Sequence, residues 1–260
     1  PTKALQGFAR SCGVDVDALE TLETDKGAWL VYREKQTGQA ATELLPEIVK
    51  QSLAALPIPK RMRWGSLSEE FVRPVHWLIL MLGDENIPAS LLGVQSNQLS
   101  YGHRFHHPQA IRISSPQTYA PQLLSEGHVM VDFAERREAI RGQVNELASQ
   151  LGGQAIIDDE LLNEVTGLVE WPVALSGEFE KRFLELPSQA LISSMQGHQK
   201  YFPVEDATGK LLPFFITVCN IESRDPAQVI AGNERVILPR LSDAAFFWDT
   251  DRKRPLADRQ

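Results

Sequence analysis

Gly232-Asn233-Glu234-Arg235-Val236, followed by Arg240-Leu241-Ser242-Asp243-Ala244-Ala245-Phe246-Phe247-Trp248, is the stretch on which the reading of this chain turns. Apolar residues recur at Ile230, Ile237, Leu241, Ala244 and Trp248, with gaps of seven, four, three and four. That spacing lines one face of an α-helix. Asp225-Pro226 opens it, with proline in the first turn, where its missing N–H costs nothing. Pro239 lies inside the pattern and is expected to kink the helix or end its first half. The helix from Pro226 to about Asp249 is expected to bury Ile237, Leu241, Ala244 and Phe247 or Trp248. Arg240 and Asp243, three apart, can pair on its surface.

Outward from this helix the texture alternates. Strand-like runs precede it at Leu211 to Val218, Tyr201 to Val204 and Val173 to Leu175, around a helix from Ser188 to Met195. Before them lies a helical middle: Pro116 to Ser125, Phe133 to Leu151 stopped by Gly152-Gly153, and a helix capped by Asp158-Asp159 running to about Val169. Earlier still, Val75 to Leu82, Ala89 to Val94 and Ile111 to Ile113 look like strands, with a turn at Gly83 to Asn86. Ala41 to Leu56 is an amphipathic helix ended by Pro57, and Asp25-Lys26-Gly27 turns a hairpin. A short helix from Thr2 to Arg10, closed by Gly13, opens the chain. The pattern predicts an α+β fold in two lobes: residues 1–112, then residues 113–225 with the helical segment 116–169. Residues 226–260 form the final helix and lead into further domains. The boundary is expected near residues 107 to 116.

Composition narrows the function. With 260 residues, 43% hydrophobic and 23% charged, the chain suits a soluble globular protein able to bury a core unaided. Cys12 and Cys219 are too few for a disulfide framework and unsuited to a zinc site. The apolar run near Trp77 to Leu82 is far too short for a membrane span. A net charge of −8 argues against indiscriminate nucleic-acid binding but allows a local basic patch. The chain starts at Pro1 without methionine, and a segment of a longer protein is expected.

No phosphate-cradling glycine loop, dinucleotide fingerprint or nucleophile elbow is present, and no spacing assembles a triad. No catalytic residue is therefore assigned. His103, His106 and His107 sit in a loop between Gly102 and Pro108 without a fourth ligand nearby, so no metal is assigned either. Arg104 in that turn suits a carboxylate, a backbone carbonyl or a phosphate. Lys60, Arg61 and Arg63 place three cations beside Trp64. That is either a phosphate clamp with Trp64 stacking on a base, or a solvated turn with Trp64 in a core. Gln196 to Tyr201, including His198 and Lys200, either lines a surface groove or only connects helix to strand. Arg252, Lys253 and Arg254 form a second basic cluster.

The blocks share an order with one family. G-N-E-x-V at 232–236 and R-L-x-D-A-x-F-F at 240–247 resemble the beta subunit of bacterial two-subunit glycyl-tRNA synthetase. So do P-I-P-K-x-M-R-W-G at 57–65 and F-V-R-P-V-H at 71–76. G-H-R-F at 102–105, L-V-E-W-P at 168–172, Q-K-Y-F-P at 199–203 and N-I-x-S at 220–223 complete the set. Residues before 57 resemble it more loosely, and His106-His107 looks particular to this chain. The resemblance implies a cytoplasmic glycine–tRNA ligase of two alpha and two beta chains. ATP and magnesium are expected on the alpha subunit, with no cofactor in this chain. The beta chain is expected to contribute tRNA binding and assembly without the aminoacylation site. Lys60, Arg61, Arg63, Trp64, Arg104, Lys200, Arg252, Lys253 and Arg254 are then its tRNA-binding candidates. Two alternatives stand beside this: a hydrolytic editing module for mischarged tRNA with a pocket near His103 or His198, and a purely structural module that holds the alpha subunit.

Overall fold

The structure, a computed structural model, describes residues 2–253 together with 255 and 258. Arg254 lies outside the described residues. Two compact units divide the chain, Pro1–Leu56 and Pro57–Gln260.

The first unit holds α1 (Lys3–Ser11), β1 (Glu20–Thr24), β2 (Gly27–Val31) and α2 (Ala41–Ala55). Thr2 caps α1 by accepting from the Leu5 N–H at 3.3 Å. The two strands pair antiparallel from Glu20 against Val31 to Thr24 against Gly27, so the expected hairpin forms around Asp25-Lys26. Pro57 stops α2 because the residue before proline is pushed out of the helical region. Leu44 and Ile48 on the apolar stripe of α2 are exposed.

The second unit begins with short strands: β3 (Met62–Arg63), β4 (Glu70–Phe71), β5 (Leu78–Ile79), β6 (Met81–Leu82), β7 (Glu85–Asn86), β8 (Ser90–Leu91), β9 (Val94–Asn97), β10 (Leu99–Tyr101) and β11 (Ala110–Arg112). Two expected strands are corrected here. Val75 to Leu82 is not one strand: β5 pairs with β9, whereas β6 pairs with β7 in another sheet. Ala89 to Val94 is broken at Leu92 and Gly93, whose φ angles of 51° and 78° fold β8 back onto β9. Ile111, Ile113 and Leu123 then form a small core with Ile79, Met81, Val129 and Val131 around them.

The remaining elements are α3 (Tyr119–Ser125), α4 (Phe133–Gln150), β12 (Gln154–Ala155), α5 (Asp159–Leu168), β13 (Val173–Glu178), α6 (Ser188–Ser193), β14 (Phe202–Glu205), β15 (Leu211–Cys219) and α7 (Pro226–Asp251). Asp132, Asp158 and Asp225 accept the N-terminal amides of α4, α5 and α7. Four strands form an antiparallel sheet in the order β12-β14-β15-β13. Its faces follow from strand periodicity. Phe202, Val204 and Ile216 pack with Ile140, Val144, Leu162 and Val165 of α4 and α5. Tyr201, Leu211 and Phe215 pack on the other side with Leu191, Met195, Ile237 and Leu241. Helices thus cover both faces of an antiparallel sheet, an α+β fold.

The long helix runs unbroken from Pro226 through Pro239 to Asp251, so the proline does not end it. Ile237 and Leu241 are completely buried as expected and Ala244 half-buried, but Phe247 and Trp248 are exposed by 62% and 38%. Trp248 lies three helical turns beyond Ile237 on the same side. Opposite it stand Ala190, Ser193 and Ser194, too small to fill the space, and a cleft remains. Arg240 and Asp243 line that cleft without pairing among the described residues.

Candidate functional site

His103 is buried, and its hydrogen bonds fix its tautomer. Its Nε2 lies 2.6 Å from the Asn220 carbonyl oxygen, which can only accept, so Nε2 carries the proton. Its Nδ1 accepts from the N–H groups of Phe105 and His106, both at 3.3 Å. The His103 N–H itself donates to the Gly127 carbonyl at 2.7 Å. Gly102 is needed for this approach, because a Cβ there would stand 2.6 Å from the same Gly127 oxygen. Asn220 continues the network. Its Oδ1 accepts from the N–H groups of Glu170 and Trp171 at 2.8 and 3.0 Å. The G-H-R-F, L-V-E-W-P and N-I-x-S blocks therefore meet in one hydrogen-bonded node.

A ladder of rings flanks the node. His103 lies 4.7 Å from His106, His106 stacks at 5.1 Å on His128, and His128 meets Trp171 edge-on at 5.1 Å. His106 Nε2 accepts the Glu222 N–H at 3.1 Å, which requires that nitrogen to be unprotonated. Burial first, and then the electrostatic influence of the neighbouring His103 and His128 rings, hold its pKa below the ordinary histidine value, with Glu222 opposing. The unfolded chain therefore binds this proton more readily. Stability from the site is complete above the unfolded value of 6.5 and is lost as pH falls through the lower folded one. Thermal midpoints taken from pH 7 to pH 5 should fall, and fall less in His106→Gln, whose carbonyl oxygen can still accept from Glu222. An equal fall in both proteins would remove His106 from the account.

The G-N-E block is spent on holding α7. Tyr201 donates its hydroxyl to Asn233 Oδ1 at 2.7 Å, and Asn233 Nδ2 donates to the Val229 carbonyl at 2.8 Å. Burial, and secondarily Cys219, pushes the Tyr201 pKa up to about 12, so the hydroxyl remains a donor. Glu234 accepts the Glu178 N–H at 3.0 Å, and Gln143 accepts the Ala174 N–H at 2.7 Å. These side chains occupy the outer edge of β13, the free margin of the sheet. Asn220, Asn233, Glu234 and His128 were not among the expected site residues. Only their places inside motif blocks, or beside Gly127, signalled them.

The expected tRNA-binding residues fall in separate places. Lys60 and Arg63 are exposed, whereas Arg61 and Trp64 are half-buried. Arg63 meets Glu70 across the β3–β4 pair at 3.7 Å, a solvent-exposed contact worth little. Arg104 is exposed and lies 5.1 Å from the Phe105 ring centroid, with Phe105 itself 68% exposed. Lys200 pairs with Glu164 at 2.9 Å and adopts a left-handed φ of 59°. It closes a π-helical turn, Ser194–Gln199. Arg252 sits 5.7 Å from the Trp248 ring at the end of α7, and Lys253 follows in solvent.

The family described as glycyl-tRNA synthetase beta subunit matches residues 1–260. The chain belongs to this family. It is 61% identical over 259 residues to the glycine–tRNA ligase beta subunit of Hahella chejuensis, covering 100% of this chain and 37% of that protein. Identity is 59% over 260 residues to the same subunit of Marinobacter nauticus and 56% over 260 residues to that of Chromohalobacter salexigens. Each match covers 100% of this chain and 38% of the relative. The chain thus spans little more than a third of these relatives. No helix among the described residues is long and apolar enough to cross a membrane.

Proposed function

We infer that this chain is the portion of a glycine–tRNA ligase beta subunit that serves tRNA binding and assembly. Charging of tRNA with glycine proceeds in a cytoplasmic complex of two alpha and two beta chains, with ATP, magnesium and glycine held by the alpha subunit. One observation carries the reading: motif residues divide into two uses. His103, Asn220, Asn233 and Glu234 are consumed by internal hydrogen bonds. The cations and rings of neighbouring blocks stand at the surface: Lys60, Arg63, Arg104 over Phe105, and Arg252 over Trp248. Such groups suit phosphates and unpaired bases.

The test is the Lys60→Glu, Arg61→Glu, Arg63→Glu triple variant in the complete two-subunit enzyme. tRNA affinity should fall while glycine activation stays nearly intact. The logarithmic salt dependence should become shallower by roughly two to three units, about 0.7–0.9 for each lost phosphate contact. Unchanged affinity and slope in a folded variant would return this segment to a solvated turn. A companion expectation concerns the chemistry. Without an alpha subunit, the chain should show no glycine-dependent exchange of pyrophosphate into ATP, and any such exchange would overturn the division of labour.

A further inference from the structure

We propose that the cleft between the π-helical turn Ser194–Gln199 and the second half of α7 receives one unpaired RNA nucleotide, its base stacked on Phe247 and Trp248. This rests on the reading that the chain meets tRNA, and names a place where it does so. The cleft holds about 410 Å³, room for a base with its ribose. Phe247 and Trp248 line it while remaining exposed; Phe246 meets the Phe247 ring edge-on at 5.7 Å, and among the described residues the other wall offers Ala190, Ser193, Ser194 and His198. Its other wall is built by α6 and the π-helical turn that follows it. The π-helical turn contributes Ser194 and His198 to it, and such turns concentrate at functional sites.

Charge decides which part of a nucleotide enters. Arg240 and Asp243 stand in the wall and offset one another's charge, so the entering group is neutral, flat and able to donate hydrogen bonds to the Asp243 carboxylate. A base with an exocyclic amino group fits this, whereas uracil has none. Arg240 and His198 supply donors for the acceptor atoms of the same ring. Positive charge for the backbone lies just outside, on Arg252 beside the Trp248 ring and on Lys253 after it. The rings border a concave site together with the hydrogen-bonding side chains of His198, Arg240 and Asp243.

The test uses the complete two-subunit enzyme carrying Trp248→Leu or Phe247→Leu, with tRNA binding followed by fluorescence anisotropy. Loss of one stacked base should weaken binding by roughly 5- to 150-fold. Trp248→Phe should restore most of it. Short oligo(A) or oligo(C) should bind better than oligo(U), and Asp243→Asn should reduce that preference. Phe247 is 62% exposed, so its replacement keeps the test valid even if Trp248→Leu unfolds. Unchanged tRNA affinity in a folded leucine variant overturns the proposal. So does unchanged tRNA affinity with loss of the alpha subunit in sedimentation, which would make this a protein contact. If the Lys60, Arg61 and Arg63 reversal weakens tRNA binding and the leucine variants do not, the cleft proposal fails alone. If neither does, the tRNA-binding reading fails with it.

Discussion

Leu241→Ala is expected to be among the most destabilising single changes in α7. Leu241 is completely buried and packs with Ile237, Leu191, Met195 and Phe215 between the helix and the sheet. Removing its branched end discards transfer energy and leaves a cavity that neighbours fill only in part, a loss of roughly 2–5 kcal/mol. Against a typical total of about 5–15 kcal/mol, that is a large fraction. For a unit of this size the thermal midpoint should drop by roughly 4–20 °C. Phe247→Ala supplies the contrast. It removes a larger side chain from the same helix, yet the ring is 62% exposed, and the change should stay within about 0.5 kcal/mol. Chemical denaturation of the three proteins checks both. Equal losses from Leu241→Ala and Phe247→Ala would mean that α7 is held through its other face.

That contrast also marks where sequence periodicity stops being informative. The period of α7 correctly brings Ile237, Leu241 and Trp248 to one side, but it carries no information about what stands opposite. Trp248 borders a cleft whose other side is built by Ala190, Ser193 and Ser194, residues far earlier in the chain. Two helix starts were legible because an aspartate cap is a local signal: Asp158 and Asp225 each act within three residues. Strands 201–204 and 211–218 were legible because each face alternates onto a different helical layer. Ala89 to Val94 misled because Leu92 takes a left-handed φ that residues with a β-carbon seldom adopt, and Gly93 beside it was the one local sign of the turn. In the candidate site Lys60, Arg63 and Arg104 stand at the surface, where a charged side chain is expected from its hydration alone. Its hydrogen-bonded node was not legible, since His103 and Asn220 are 117 residues apart and their contact is set by tertiary packing.

His103→Phe provides the other large expected effect, and it separates two readings of the G-H-R-F block. Phenylalanine fills nearly the same volume, so cavity cost is small and the result reports hydrogen bonding. The change strips a partner from the Asn220 carbonyl and from the amides of Phe105 and His106. A buried polar group left unpaired costs roughly 1–3 kcal/mol, and outer amides can recover water, so a total of about 2–4 kcal/mol is expected. Arg104→Ala, one residue away, should leave the unfolding midpoint nearly unchanged, because its side chain is exposed and its guanidinium lies over the likewise exposed Phe105 ring. In the complete enzyme the order should reverse. Arg104→Ala should weaken tRNA binding, whereas His103→Phe, assayed at a temperature where it remains folded, should not. Should His103→Phe keep full stability yet lose tRNA affinity, the histidine would belong to the RNA surface, and the node would have to be held by Asn220 and Gly102 without it.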